Sequence, residues 1–290
     1  MDNKERISLT IDKSLLTEVD SKIDGNIIRN RSHAFEVLLS KALNNKRIKK
    51  AFILAGGKGT RLRPITYEIP KPMVPIQGRP LLEHTIEFLK KYDIRDIVIS
   101  IGFLGDKIIE HFGNGSKFGV KISYVEEDEP TGTAGALRLA REKLKSGPFL
   151  MINGDNLFNL DLTEMIKTHF ENNTVATIAL TSVNDPTRYG VAKLQGKKIL
   201  EFIEKPTMEE APSNLINAGV YLLNPEVIEL VPEKTFSMIE TEVFPKLIEI
   251  GSFYGYVMGG QWLPAGTPDE YERAIKEWRG IEWAYSNHMI

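Results

Sequence analysis

The chain has 290 residues, 42% hydrophobic and 26% charged, with a net charge of −2, a balance that suits one large globular domain or two smaller ones and excludes long disorder. The absence of cysteine removes disulfides, thiol nucleophiles and thiolate metal sites, and the five histidines form no HxH or HxxxH cluster. No apolar run is long enough to span a bilayer and no apolar stretch follows the charged N-terminal residues, so a cytoplasmic chain with no membrane partner is expected.

Residues 6–12, RISLTID, alternate strictly, with Ile7, Leu9 and Ile11 on one face and Arg6, Ser8 and Thr10 on the other, the pattern of a half-buried strand. Lys13 to Asp24 carries Leu15, Leu16, Val19 and Ile23 at helical spacing, and Gly25 sits where a glycine would stop the helix. Ser32 then caps a second helix with Phe35, Leu38, Leu39 and Ala42 on one face. A strand and two short helices bury too little surface to stand alone, so residues 1–46 are expected to form a unit that dimerises. Charge is also uneven: residues 1–50 hold eleven Lys/Arg against seven Asp/Glu, and the remainder is acidic.

The strand together with NRSHAFEVLL resembles the ribbon–helix–helix family of DNA-binding proteins. That resemblance implies a paired ribbon whose Arg6, Ser8 and Thr10 face bases in the major groove, with the start of the second helix near Ser32 on a phosphate. The alternative is a solvated strand face on a dimerisation unit.

From Ala51 strands and helices alternate. AFILA, DIVISI, VKISYV, FLMIN, TVATIAL and GVYLL read as strands, and Pro80 to Tyr92 and Ala134 to Leu144 as helices. Alternation of this kind predicts an α/β domain over 51–280 with a largely parallel sheet, ligands at the C-terminal strand ends, and residues 281–290 as a docked tail.

The first strand runs into Leu54-Ala55-Gly56-Gly57-Lys58-Gly59-Thr60-Arg61-Leu62-Arg63. Glycines let the backbone N–H groups approach an anion, and the Arg61 and Arg63 guanidinium forks match phosphate oxygens. The loop has neither the P-loop order nor the third glycine of GxGxxG. Lys71 stands between two prolines in IPKPMVPI, a stiff segment that suits a positioned cation.

GGKGTRLRP followed by PKPM resembles the signature of the sugar-1-phosphate nucleotidylyltransferases, and EPTGTAGAL, NGDN, DPTRYGVA, FIEKP, NAGVY and ETEVFPKL follow in order. The resemblance implies a Rossmann-like nucleotidyltransferase fold, a mixed and mainly parallel sheet flanked by helices. It also implies transfer of a nucleotidyl group from a nucleoside triphosphate to a sugar 1-phosphate with release of pyrophosphate. Arg61 would hold the departing phosphates and Lys71 would sit near the α-phosphate. Asp155 would bind Mg²⁺ as the cofactor. Leu54, Ala55, Gly56, Gly57, Gly59 and Thr60 with Glu127 and Gly132 would hold the nucleotide, and Gly190, Glu204, Lys205 and Asn217 the sugar phosphate.

Where thymidylyl and uridylyl enzymes of this family resemble one another in carrying glutamine, this chain has Glu127. A carboxylate only accepts hydrogen bonds, which suits the two adjacent donors of guanine and repels the carbonyls of uracil or thymine, so GTP is the expected donor, as in mannose-1-phosphate guanylyltransferases. One position departs from the family. Its W-x-D-x-G-T pattern here reads Trp262-Leu263-Pro264-Ala265-Gly266-Thr267, so proline replaces a metal-binding aspartate. Asp269 fits a helix start better than a ligand, with Thr267 as N-cap, Pro268 at N1 and Glu270 closing a capping box. The expected function is therefore a guanylyltransferase with a depleted metal site, or alternatively a sugar-nucleotide-sensing DNA-binding regulator.

Overall fold

The computed structural model describes residues 8–23, 30–44 and 48–282, with the backbone alone at 36–37 and 40–44. Packing divides the chain into two units, residues 1–47 and 48–290.

In the first unit, α1 (Lys13–Asp20) starts where the Asp12 carboxylate accepts from the Ser14 N–H at 2.8 Å. It ends four residues earlier than the apolar spacing predicts. The Lys22 and Ile23 N–H groups turn to carbonyls three residues back, which tightens and stops the helix. Asp20 then takes both arms of the Arg31 guanidinium at 2.7 Å, fastening α1 to α2 (Arg31–Asn44). Asn30, not Ser32, caps α2: its Oδ1 accepts from the His33 N–H at 2.9 Å, and Ser32 lies exposed in the first turn. Residues 8–12 form no strand ladder with any described residue, so the expected half-buried strand is not seen there. Ser8 and Thr10 are exposed there; Arg6 and Gly25 lie outside the described residues.

The second unit contains thirteen strands among its described residues: β1 (Lys50–Ala55), β2 (Pro75–Ile76), β3 (Arg79–Pro80), β4 (Asp96–Ile101), β5 (Lys121–Glu126), β6 (Phe149–Asn153), β7 (Asn156–Phe158), β8 (Ala176–Ser182), β9 (Gly190–Gln195), β10 (Lys198–Glu204), β11 (Leu215–Leu223), β12 (Phe253–Val257) and β13 (Trp262–Pro264). Nine form one sheet in the order β5-β4-β1-β6-β11-β8-β12-β10-β9. The first four pair in parallel; β11 then enters antiparallel to β6, β8 and β9, and β10 antiparallel to β12 and β9. The sheet is therefore mixed, parallel as expected only across β5-β4-β1-β6 and between β8 and β12. Apolar runs announce strands but not their direction, and the β9–β10 hairpin, turned by Gly196-Lys197, was hidden inside motifs read for their chemistry.

Helices cover both faces. α3 (Leu81–Lys91), α4 (Gly105–Phe112) and α7 (Leu162–Glu171) belong with a core built on Ile53, Ile99, Ile152 and Val220. The opposite face carries α5 (Gly132–Leu139), α6 (Arg141–Leu144), α8 (Ile239–Glu242) and α9 (Phe244–Glu249) over Phe52, Met151 and Tyr221. The single helix expected over 134–144 is broken at Ala140 into α5 and α6. β1 and β6 lie side by side with hydrophobic residues on both faces, which is why they read as continuous apolar runs. Their C-terminal ends open into the glycine loop and into Gly154-Asp155. β13 pairs with β7 so that Pro264 lies opposite Asn156, and α10 (Pro268–Glu277) follows. Trp283 and Tyr285 of the expected tail lie outside the described residues.

Candidate nucleotide and phosphate site

Two adjoining cavities open at the C-terminal ends of β1 and β6. The first, about 530 Å³, is lined by Leu54, Ala55, Gly56, Gly57, Gly59, Thr60, Arg61, Lys71, Glu127, Gly132 and Asp155, all expected there from the sequence. The second, about 460 Å³, is lined by Gly190, Glu204, Lys205 and Asn217, again as grouped in the sequence, with Arg61, Lys71 and Asp155 shared between the two. Arg63 is not among the lining residues. Its guanidinium lies 4.7 Å from the centre of the Tyr67 ring.

At the shared wall, Lys71 Nζ donates to Asp155 Oδ2 at 2.7 Å. Lys71 is held in a short 3₁₀ turn and is buried, whereas Asp155 keeps 39% of its side-chain surface open to the cavity. Burial alone would push the Asp155 carboxyl up, but the Lys71 ammonium, with Arg61 behind it, outweighs that and holds the group below the usual carboxylate range.

Two close approaches shape the nucleotide end. Gly56 packs against Glu127, whose Oε1 would lie 2.5 Å from any Cβ placed there. Gly132 has φ +76°, and a Cβ there would run into the Ser237 carbonyl oxygen. Ser237 splices the two segments: its N–H donates to Thr131 O at 2.8 Å, and its own oxygen accepts from the Ala134 N–H at 2.9 Å.

Glu127 occupies its oxygens locally. Oε1 accepts from Ser100 Oγ at 2.5 Å, and Oε2 from Thr131 N and Oγ1 at 3.1 and 2.6 Å. Three of roughly four acceptor positions are filled. Glu127 thus builds the turn that it was expected to lend to a base, and has room for about one further bond.

In the second cavity, Gly190 faces Phe202 and Glu204, leaving no room for a side chain. Asn217 is committed at both ends, accepting from the Gly219 N–H and donating to Tyr221 Oη, each at 2.9 Å. Lys205 lies in the left-handed region (φ +51°) with its ammonium 3.3 Å from Glu204. Glu240, buried beside them, accepts from Thr133 Oγ1, and burial pushes its carboxyl up.

Glu240 and Asn153 open the motifs ETEVFPKL and NGDN, but sequence reasoning gave neither a role. The buried Asn153 Oδ1 finds no donor among the described residues, and Asn153 lines both cavities. Its place before Gly154-Asp155 was the available signal.

Magnesium fits this donor set poorly. Asp155 is engaged by Lys71, Pro264 offers no side-chain ligand atom, and the described residues contain no cluster of three or more metal-ligating side chains. Pro264 does sit at the expected edge, since the Ala265 N–H donates to Asp155 O at 3.3 Å. The capping box is only half formed. Thr267 caps α10, but the Glu270 carboxylate turns to the Gly266 N–H at 2.9 Å and to Arg188 at 3.0 Å.

A glycine loop at a strand end, two cations at its exit and a second polar cavity beyond them form an arrangement of the α/β kind that suits nucleotide phosphates. The nucleotidyl transferase family model matches residues 50–279, and the chain belongs to that family. It is 40% identical over 227 residues to a mannose-1-phosphate guanyltransferase of Yarrowia lipolytica, covering 77% of this chain and 62% of that one. It is 38% identical over 242 residues to a UTP–glucose-1-phosphate uridylyltransferase of Synechocystis, covering 78% and 62%. The chain thus spans less than two thirds of the length of these curated relatives. Among solved structures, HddC of Yersinia pseudotuberculosis complexed with GMP-PN superposes with a TM-score of 0.68 at 30% identity, covering 79% of this chain and 99% of that one. No helix among the described residues is long and apolar enough to cross a membrane.

Proposed function

We propose that the second unit transfers a guanylyl group from GTP to a sugar 1-phosphate, with mannose 1-phosphate the first to test. The observation that carries this reading is the wall common to the two cavities, where Arg61, Lys71 and Asp155 meet. A nucleotide in the first cavity places its phosphates at that wall, and a sugar phosphate in the second brings its oxygen to the other side. That oxygen attacks the α-phosphorus in line. The bond from α-phosphorus to the bridging oxygen breaks, and its electron pair leaves with pyrophosphate. Lys71 and Arg61 neutralise the charge that spreads over the phosphoryl oxygens. Glu204, Lys205 and Asn217 border the sugar end, and Asp155 keeps Lys71 in place. Any Mg²⁺ would have to be held by the nucleotide phosphates and water, because Asp155 is engaged by Lys71.

Guanine as the base is supported by the guanyltransferase relative and by the purine nucleotide analogue named for HddC. Glu127 supplies one remaining acceptor toward it.

Pyrophosphate release with GTP and mannose 1-phosphate, run beside UTP and glucose 1-phosphate, tests the reading. Turnover with the first pair supports it; turnover with the second pair alone replaces the base and sugar; none with either favours a sensor.

The sensor reading has one observation of its own, Pro264 beside Asp155. It would use the first unit, where Leu9, Leu15 and Leu39 are 58%, 51% and 45% exposed, a surface suited to a second copy of the chain. We propose a homodimer there, with Arg6, Ser8 and Thr10 toward DNA. Salt-dependent retention of duplex DNA would support it, and a monomer with no retention would sink it.

A further inference from the structure

Phe236 is 54% exposed, a large ring uncovered at the wall of the first cavity. Its backbone has little freedom, because the next residue, Ser237, is fully buried and spliced to Thr131, Ala134 and Gly135 by three main-chain hydrogen bonds. The Ser237 hydroxyl adds a bond to Glu242, and the Ile239 N–H donates to Thr133 Oγ1 at 2.8 Å. A rigid stem therefore holds an apolar ring against a cavity whose occupant is expected to be charged at one end only. Its lining is uneven. Arg61 and Lys71 line the second cavity as well, and Lys58 sits in the glycine loop three residues before Arg61, whereas Phe236, Met238 and Pro130 line only the first cavity, with Glu127 and Gly132. Phosphates belong at the cationic end, which leaves the apolar end for the nucleobase.

We propose that Phe236 is the stacking platform for the base and favours a purine over a pyrimidine. Every base has a π-face, so stacking on a phenyl ring is available to all, but the two-ring face of a purine covers more of it than a single ring does. Selection by area also fits a Glu127 with only about one free acceptor, since hydrogen bonding alone then discriminates weakly. This inference rests on the nucleotide reading of the first cavity and deepens it.

The test measures equilibrium binding of GTP and UTP to the full chain without sugar phosphate, for the wild type and for Phe236→Ala, Phe236→Leu and Phe236→Trp. Base–aromatic stacking predicts that Phe236→Ala weakens GTP binding on the order of tenfold and UTP binding less, with the melting temperature unchanged because the ring is exposed. Phe236→Leu should behave like alanine, and Phe236→Trp should match or exceed the wild type. A Phe236→Ala change of less than twofold for GTP, or a leucine variant that binds as the wild type does, overturns the stacking role while leaving the nucleotide site intact. A wild type that binds neither nucleotide overturns the site reading and this inference together.

Discussion

Lys71 and Asp155, 84 residues apart in sequence, close a 2.7 Å ion pair at the wall between the two cavities. The pair sets an ammonium where a phosphoryl group would have to pass. Replacing Lys71 by methionine keeps the stem and removes the charge, and should lower kcat/KM by about 10²–10³ as for loss of one transition-state donor. It leaves Asp155 without its partner, but that carboxylate is 39% open, so the stability cost should be ~1–2 kcal/mol, below the figure for a sealed pair. Because the Asp155 carboxyl is held below its ordinary value, the pair's contribution is present above that value and fades as pH falls through the lowered one. Steady-state kinetics and denaturant melts of Lys71→Met check both statements.

Pro264 is the obvious place to restore a ligand, because it faces Asn156 across β7 and β13 and its neighbour Ala265 bonds to Asp155 O. Pro264→Asp should create a site for Mn²⁺ that can be followed by electron paramagnetic resonance in the absence of nucleotide. The wild type should show Mn²⁺ immobilised only when nucleotide is added. Tight binding by the wild type alone would contradict the single-carboxylate description.

Gly132→Ala confronts both a φ of +76° and the Ser237 carbonyl. Strain plus steric conflict should cost roughly 2–4 kcal/mol, read as a lower urea midpoint with an unchanged slope. Gly57, with open space around it, should accept alanine with little change in stability.

Glu127→Gln can keep its oxygen on the Thr131 N–H and hydroxyl and turn its NH₂ to Ser100 Oγ, a hydroxyl that also accepts. The 127–131 turn should therefore lose no more than about 1 kcal/mol, while the variant should bind GTP more weakly because a donor replaces the one free acceptor. Isothermal titration with GTP, beside a thermal melt, separates the two effects.

Burial holds the His169 imidazole below its ordinary value, between Thr177 Oγ1 at 3.0 Å and Asn224 Oδ1 at 3.2 Å. Burial lowers His84 as well. The unfolded chain then takes up protons that the folded chain refuses, so stability is full above the ordinary histidine value of about 6.5 and declines as pH falls below it. Melting temperature across about pH 8 to 5 should drop for the wild type and drop less for His169→Gln.

Much of the site was legible in the chain because its parts are local. Glycines at a strand end, Lys71 between prolines and the NGD turn each carry their geometry within a few residues, and the structure gathers them into one place. What escaped depends on contacts far along the chain. The direction of β11 and β10 follows from packing rather than pattern. The early end of α1 follows from the competition of turn hydrogen bonds with helical ones. The family resemblance implies that Glu127 lies near a base, yet Ser100 arrives from a neighbouring strand to occupy one of its oxygens, and no motif contains that.

The splice between Thr133 and Ile239 joins segments 106 residues apart. Loop-closure entropy must be met before such a contact forms, so the rim of the first cavity should close after the more local pairings of the sheet, β1 with β4 and the β9–β10 hairpin, have assembled. Substitutions at this seam should then act on the unfolding rate and leave the refolding rate nearly unchanged. The chain would spend its last folding step making the pocket, and on unfolding would lose that pocket before its sheet.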